Sequence, residues 1–234
     1  MTTIAVSQVV SRVRSSVGAA DTPDFFSMID QQARMIVNLA RVVADVLQGK
    51  ESAHSLRLID LEQHRQELQR RHQAVVDSLP HSGLEEIRST MEALDRAAAV
   101  LIRTARDCLS GGSNPDATVF QMMGVIRKAI ESLRHGYTRL ANGSTVAEFD
   151  ADAAIASQRA LVCWRTFDDQ REVAAAEGWH RTSPSGVSPD RSCRLNGLYE
   201  NLYDIARELS RAGVILKVWS RRLYGAVSPA RLPQ

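Results

Sequence analysis

Residues 56–109 read LRLIDLEQHRQELQRRHQAVVDSLPHSGLEEIRSTMEALDRAAAVLIRTARDCL. The Leu79-Pro80-His81-Ser82-Gly83 turn divides this stretch, because proline cannot continue a helix and glycine tolerates backbone angles that other residues avoid. On both sides of the turn apolar residues recur in alternating steps of three and four, the spacing of one helix face. After the turn the seam is unbroken: Ile87, Met91, Leu94, Ala98, Leu101, Ala105 and Cys108. Before it the seam runs Leu58, Leu61, Arg65, Leu68, His72, Val75 and Leu79, with an arginine and a histidine at expected core positions. Glu62 and Asp95 lie beside the two seams. A helical hairpin with ionisable groups along its seam is either a site or a structural compromise, and both remain open here.

Outward from the hairpin the same periodicity continues. Thr22-Pro23-Asp24 predicts a helix start with Thr22 as cap, and the seam Ile29, Ala33, Ile36, Ala40, Val43, Leu47 runs on until Gly49. The hairpin's second helix opens on the capping box Ser82-x-x-Glu85 and closes at Gly111-Gly112. Asn114-Pro115-Asp116 starts a fourth helix whose seam is Val119, Met123, Ile126, Ile130, Leu133, Tyr137, Leu140, stopped by Asn142-Gly143. A second capping box, Thr145-x-x-Glu148, opens a fifth helix ending near Gly178. Its small seam residues Ala153, Ala156, Ala160 and Cys163 imply close approach of a neighbour. Residues 180–189 read as a long loop. The last helix carries Leu198, Leu202, Ile205, Leu209, Ala212, Leu216, Trp219 and Leu223, and the tail after Gly225 reads as disordered.

No stretch alternates with period two for long enough to argue a strand. The expectation is an all-α, elongated antiparallel six-helix bundle. Its domains run from a weakly ordered segment at 1–21, through one three-helix half at 22–112 and another at 113–225, to a disordered tail at 226–234.

Composition narrows the chemistry. The 234 residues are 44% apolar but only 5% aromatic, so the core rests on aliphatic side chains and methionine. Basic and acidic residues nearly balance, 29 against 27, which argues against a nucleic-acid binder with a basic face. Three widely spaced cysteines give neither a CxxC pair nor a disulfide framework and suit a reducing compartment. Cys108 and Cys163 read as small core residues. No uncharged run is long enough for a bilayer and the N-terminus lacks the order of a signal peptide, so a cytoplasmic protein is expected. No phosphate-cradling glycine loop, HExxH or nucleophile elbow occurs, and no enzyme is expected. Glu200, Asp204 and Glu208 step by four along the last helix, as do Glu148/Asp152 and Asp168/Glu172. With Arg207 and Arg211 alternating with them, the acids at 200–208 read as a solvated, salt-bridged face. Arg70-Arg71 and Arg221-Arg222 could contact phosphate-rich ligands, or simply be charged faces.

Phe25-Phe26 followed by Ala33, Leu39, Ala40 and Leu47, Glu85-Glu86-Ile87 with Leu94-Asp95, and Tyr199-Glu200 with the run Ala212 to Lys217 together resemble the PhoU-like family. The resemblance is in particular to its cytoplasmic branch of Pit accessory proteins, over roughly residues 25–224. It implies two three-helix halves and a non-enzymatic regulator or accessory of inorganic phosphate transport, acting through helix-surface contacts with a Pit-type membrane transporter. It also implies acidic pairs four residues apart that hold metal clusters, since such residues share a helix face. Here only part of that set is present. Glu62 matches a first-half acid, but Gln66 takes its partner's place; Asp95 matches the second cluster, while Arg96 and Ala99 replace the others. Tyr203 and Arg207 stand at acidic positions of the last helix. No cofactor is therefore expected, with Glu62, Asp95 and His64 as the residues for any residual divalent or iron binding. A metal-binding bundle on those residues, or a plain helical adaptor, is the alternative. Glu62, Arg65, His72 and Asp95 could instead form one buried polar network, and a homodimer through an exposed helix fits the regular seams.

Overall fold

Six helices account for most of the described residues, and no strand occurs among them. The computed structural model describes residues 24–78, 84–110, 115–144, 146–178 and 189–224, and their side chains except at 109–110, 165–178, 189–195 and 223–224. In chain order the helices are α1 Phe25–Leu47, α2 Leu56–Asp77, α3 Glu85–Ser110, α4 Ala117–Ala141, α5 Ala147–Gly178 and α6 Pro189–Tyr224.

Their starts follow capping chemistry. The Asp24 carboxylate accepts the Ser27 N–H at 3.1 Å, Ser55 Oγ accepts the Leu58 N–H at 3.3 Å, and Asp116 accepts the Val119 N–H at 3.0 Å. The cap of α1 is thus Asp24 rather than Thr22, which places Phe25 and Phe26 inside the first turn. Gly49 and Gly143, just beyond the ends of α1 and α4, take φ of 68° and 79°, the left-handed angles that reverse a chain at a helix end. Pro189, expected at the end of a long loop, is instead the first residue of α6, where its missing N–H is no loss. Residues 1–21, Thr22, the Pro80 turn with Ser82, Gly111-Gly112, Thr145, 180–188 and the tail lie outside the described residues.

The predicted seams of α1 and α4 are buried throughout, as is that of α3 up to Ala105 and that of α6 up to Leu216. These four helices form a closed ring of neighbours: α1 with α3, α3 with α6, α6 with α4, and α4 with α1. Contacts run in opposite order along neighbours. Arg96 and Arg103 of α3 meet Glu208 and Asp204 of α6, and Glu148 and Asp152 of α5 meet Arg221 and Lys217 of α6. At one end the ring closes on Tyr137. Its buried hydroxyl donates to the Ala212 carbonyl at 3.2 Å and lies 2.9 Å from the Thr90 hydroxyl, and burial pushes its pKa up. Trp219 packs edge-on against both Tyr137 and Phe26, joining α6 to α4 and α1.

The hairpin is not the centre of this arrangement. Among the described residues α2 packs against α1 and α3 only and buries just Leu58, Leu68, His72 and Val76; Leu61, Arg65 and Val75 are half-buried. Among the described residues α5 likewise packs against α4 and α6 only, and on a different face from the one its spacing predicts. Ala147, Ala151, Ala154 and Leu161 are buried, whereas Ala153, Ala156 and Cys163 are exposed. Cys163 is therefore not a core residue, and Cys108 is only half-buried, its thiol pKa raised by what burial it has.

The expected close approach to α5 is real but uses glycines of its neighbours. A Cβ at Gly213 would lie 3.1 Å from the Ala151 carbonyl oxygen, 3.1 Å from Ile155 and 3.2 Å from Ala154, all on α5. Relief requires moving that helix, because a backbone carbonyl cannot rotate away. Gly213→Ala is expected to destabilise by about 1 kcal/mol, the overpacking penalty less the gain in helix propensity. Thermal unfolding would show it as a Tm lower by roughly 2–4 °C. A raised Tm would mean that α5 yields freely.

Candidate functional site

Of the ionisable residues at or beside the hairpin's seams, Asp95 and Glu62 each pair with an arginine, and the His72 ring has no hydrogen-bond partner among the described residues. Asp95 of α3 accepts a hydrogen bond from Arg65 of α2 at 2.6 Å, with side chains only 13% and 14% exposed. Arg65 thus turns inward to a carboxylate rather than sending its head into solvent. Glu62 pairs with Arg106, again across α2 and α3, at a more open position. His64, on the same helix as Glu62, is exposed. The two acids line different cavities: Glu62 a groove of about 190 Å³ beside Arg65, Arg103, Arg106 and Asp107, and Asp95 a smaller one of about 60 Å³. Among the described residues, no group of three or more histidine, cysteine, aspartate or glutamate side chains is placed to hold a metal ion.

The smaller cavity lies where α1, α2 and α3 meet, with Gln32, His72, Met91, Glu92 and Asp95 among its lining. Gln32 is buried because α1 turns a broad face inward, and its amide donates to the Met91 carbonyl at 2.9 Å. Among the described residues the Gln32 side-chain oxygen and both ring nitrogens of His72 have no hydrogen-bond partner, although both residues are buried. Burial, followed by repulsion from the Arg71 guanidinium, lowers the His72 pKa to about 4. The imidazole is therefore neutral at pH 7, one nitrogen a donor and the other an acceptor. A polar space of this size accommodates a few water molecules, which suit such a mixed set.

Sequence spacing missed the partners supplied by the far half of the chain. Arg96, standing where the resemblance places an acid, donates to Glu208 of α6 at 2.9 Å. Arg103 donates to Asn201 at 2.9 Å and to Asp204 at 3.3 Å, while Asn201 donates to Asp107 at 2.9 Å. The Glu200–Glu208 ladder is thus not simply a solvated face of its own helix: Asp204 and Glu208 bind α6 to α3, and Glu208 is itself buried. Glu148 and Asp152 do the same for α5 and α6 through Arg221 and Lys217. Arg71 donates to Gln31, and Arg222 pairs with Glu86, so three of the four paired arginines (Arg71, Arg221 and Arg222) hold intrachain partners. The side chains of Asp168 and Glu172 lie outside those described. Helical periodicity on α3 could have flagged Arg96, Arg103 and Arg106 as one arginine-rich side, but not the acids that meet it.

No protein-family model matches the chain, and no curated protein matches it. Among the described residues no helix is long and apolar enough to cross a membrane.

Proposed function

We propose that this chain is a non-enzymatic PhoU-like regulator or accessory protein of inorganic phosphate transport, working through helix-surface contacts with a Pit-type membrane transporter at the cytoplasmic face. The observation that carries this reading is the grouping of helices. α1, α2 and α3 each touch the other two, α4, α5 and α6 do the same, and the groups meet through α1–α4 and α3–α6. That grouping supports two three-helix halves at 22–112 and 113–225, as the resemblance in Phe25–Leu47 and Glu85–Asp95 implies.

The state of the acidic positions supports a scaffold that works without a resident metal. Glu62 and Asp95 are each engaged by an arginine, and Arg96 brings a fixed positive charge where the related family has an acid. A guanidinium can neutralise a carboxylate much as a cation does, without needing to be loaded. Elemental analysis of native protein should find less than about half an equivalent of iron, zinc or manganese, since a structural metal site would hold close to a full one. Affinity capture of the full chain from detergent-solubilised membranes should enrich a phosphate transporter over an unrelated bait. Failure to enrich any phosphate-uptake component would overturn the proposal.

A further inference from the structure

Among the described residues the outward face of α5 has no partner, yet it has the pattern of a packing seam. Phe149, Ala153, Ala156, Ala160 and Cys163 follow one another in steps of four and three. They lie on the side of the helix opposite the buried Ala147, Ala151, Ala154 and Leu161. Phe149 is 74% exposed, an unusual position for a phenylalanine in a chain so poor in aromatics, and Val146 one turn earlier is 43% exposed. Ala153, Ala156 and Cys163 are exposed and Ala160 is half-buried. A seam with this spacing is what two supercoiling helices share.

We propose that this face of α5 is a self-association surface, on which the α5 of a second copy docks antiparallel about Ala156. The choice of occupant rests on self-complementarity. Under a two-fold axis at Ala156, Phe149 of one copy falls level with the small Cys163 of the other, and Ala153 falls within one residue of Ala160. Bulk therefore meets a gap at both ends, while alanines at the centre let the helix axes approach to about 8 Å. The flanking charges obey the same symmetry. Asp152 and Arg159 lie on one edge of the seam at nearly equal distances from Ala156, and antiparallel docking sets each beside the other's counterpart, giving two equivalent ion pairs. Asp152 is half exposed with one oxygen 2.6 Å from Lys217, which leaves lone pairs for a second cation, and Arg159 is exposed. A parallel arrangement would leave these charges without opposite partners. The surface does not depend on the transport reading above.

Sedimentation velocity on the full chain, from low to high micromolar concentration, should show a monomer–dimer equilibrium. Phe149→Asp should weaken association at least tenfold, with helical content unchanged by circular dichroism. Asp152→Arg and Arg159→Asp should each weaken it several-fold by setting like charges face to face, and the double variant should recover most of the loss. Recovery would be difficult to explain by a merely structural role, since each single change also disturbs its own copy. A chain that remains monomeric across the range overturns the proposal. So does a dimer indifferent to Phe149→Asp, or a double variant no tighter than the singles.

Discussion

Asp95→Ala is expected to destabilise the protein by about 2–3 kcal/mol in denaturant titrations at pH 7. The carboxylate and its partner Arg65 are both largely removed from water, and Arg65 Nε has no hydrogen-bond partner among the described residues. Deleting the acid leaves a guanidinium partly buried and uncompensated. For fully buried pairs that error costs about 3–5 kcal/mol, and the remaining solvent access of both side chains reduces it here. The contrasting experiment is Arg65→Met combined with Asp95→Leu. Removing both charges and keeping apolar volume should cost far less than Asp95→Ala alone, because the desolvation of two ions is recovered as their attraction is lost. If Asp95→Ala changes stability by less than about 0.5 kcal/mol, the pair behaves as an exposed surface bridge and does not fasten α2 to α3.

That experiment bears on how the hairpin reads in the sequence. The seams of α1, α3, α4 and α6 are legible because large residues occupy one face and polar residues the other, which fixes the phase of the helix. α5 defeats the same rule. It carries alanine on two opposite faces, Ala147, Ala151 and Ala154 on one and Ala153, Ala156 and Ala160 on the other. Spacing alone gives both a seam and no reason to choose the inner one. α2 misleads for another reason: its seam is interrupted by Arg65 and His72, and a helix on the outside of a bundle needs only a few buried anchors. Its Leu61 is only half-buried where Leu58 and Leu68 are fully buried, although all three share one seam in sequence. The polar network expected of Glu62, Arg65, His72 and Asp95 was half visible. Arg65 does meet Asp95, but Glu62 turns to Arg106 and His72 meets neither. Partners such as Arg96 and Glu208 lie more than a hundred residues apart, and no local rule could have joined them.

His72 should make folding stability depend on pH in a way one substitution abolishes. Its ring lies in the cavity between α1, α2 and α3, facing Asp95, Glu92 and Arg88 from α3, Asp77 from its own helix, and the neutral Gln32 from α1. Arg71 beside it opposes a further positive charge. The folded-state pKa of about 4 lies below the unfolded value of 6.5, so between these limits the unfolded chain binds a proton that the folded one rejects. Stability is therefore complete above pH 6.5, falls as the pH drops from 6.5 towards 4, and loses no more from this group below that. A shift of this size corresponds to roughly 3 kcal/mol over the interval. The clean measurement is the difference between wild type and His72→Leu, taken by denaturant titration at several pH values from 7 to 4. Carboxylates common to both proteins then cancel, and the difference should grow in favour of the variant as the solution is acidified. Near pH 7 leucine should cost little, because it fills a similar volume and removes two buried nitrogens that lack protein partners. Parallel pH profiles for the two proteins would mean that His72 accepts its proton without resistance, through water in the cavity or a carboxylate drawn towards it.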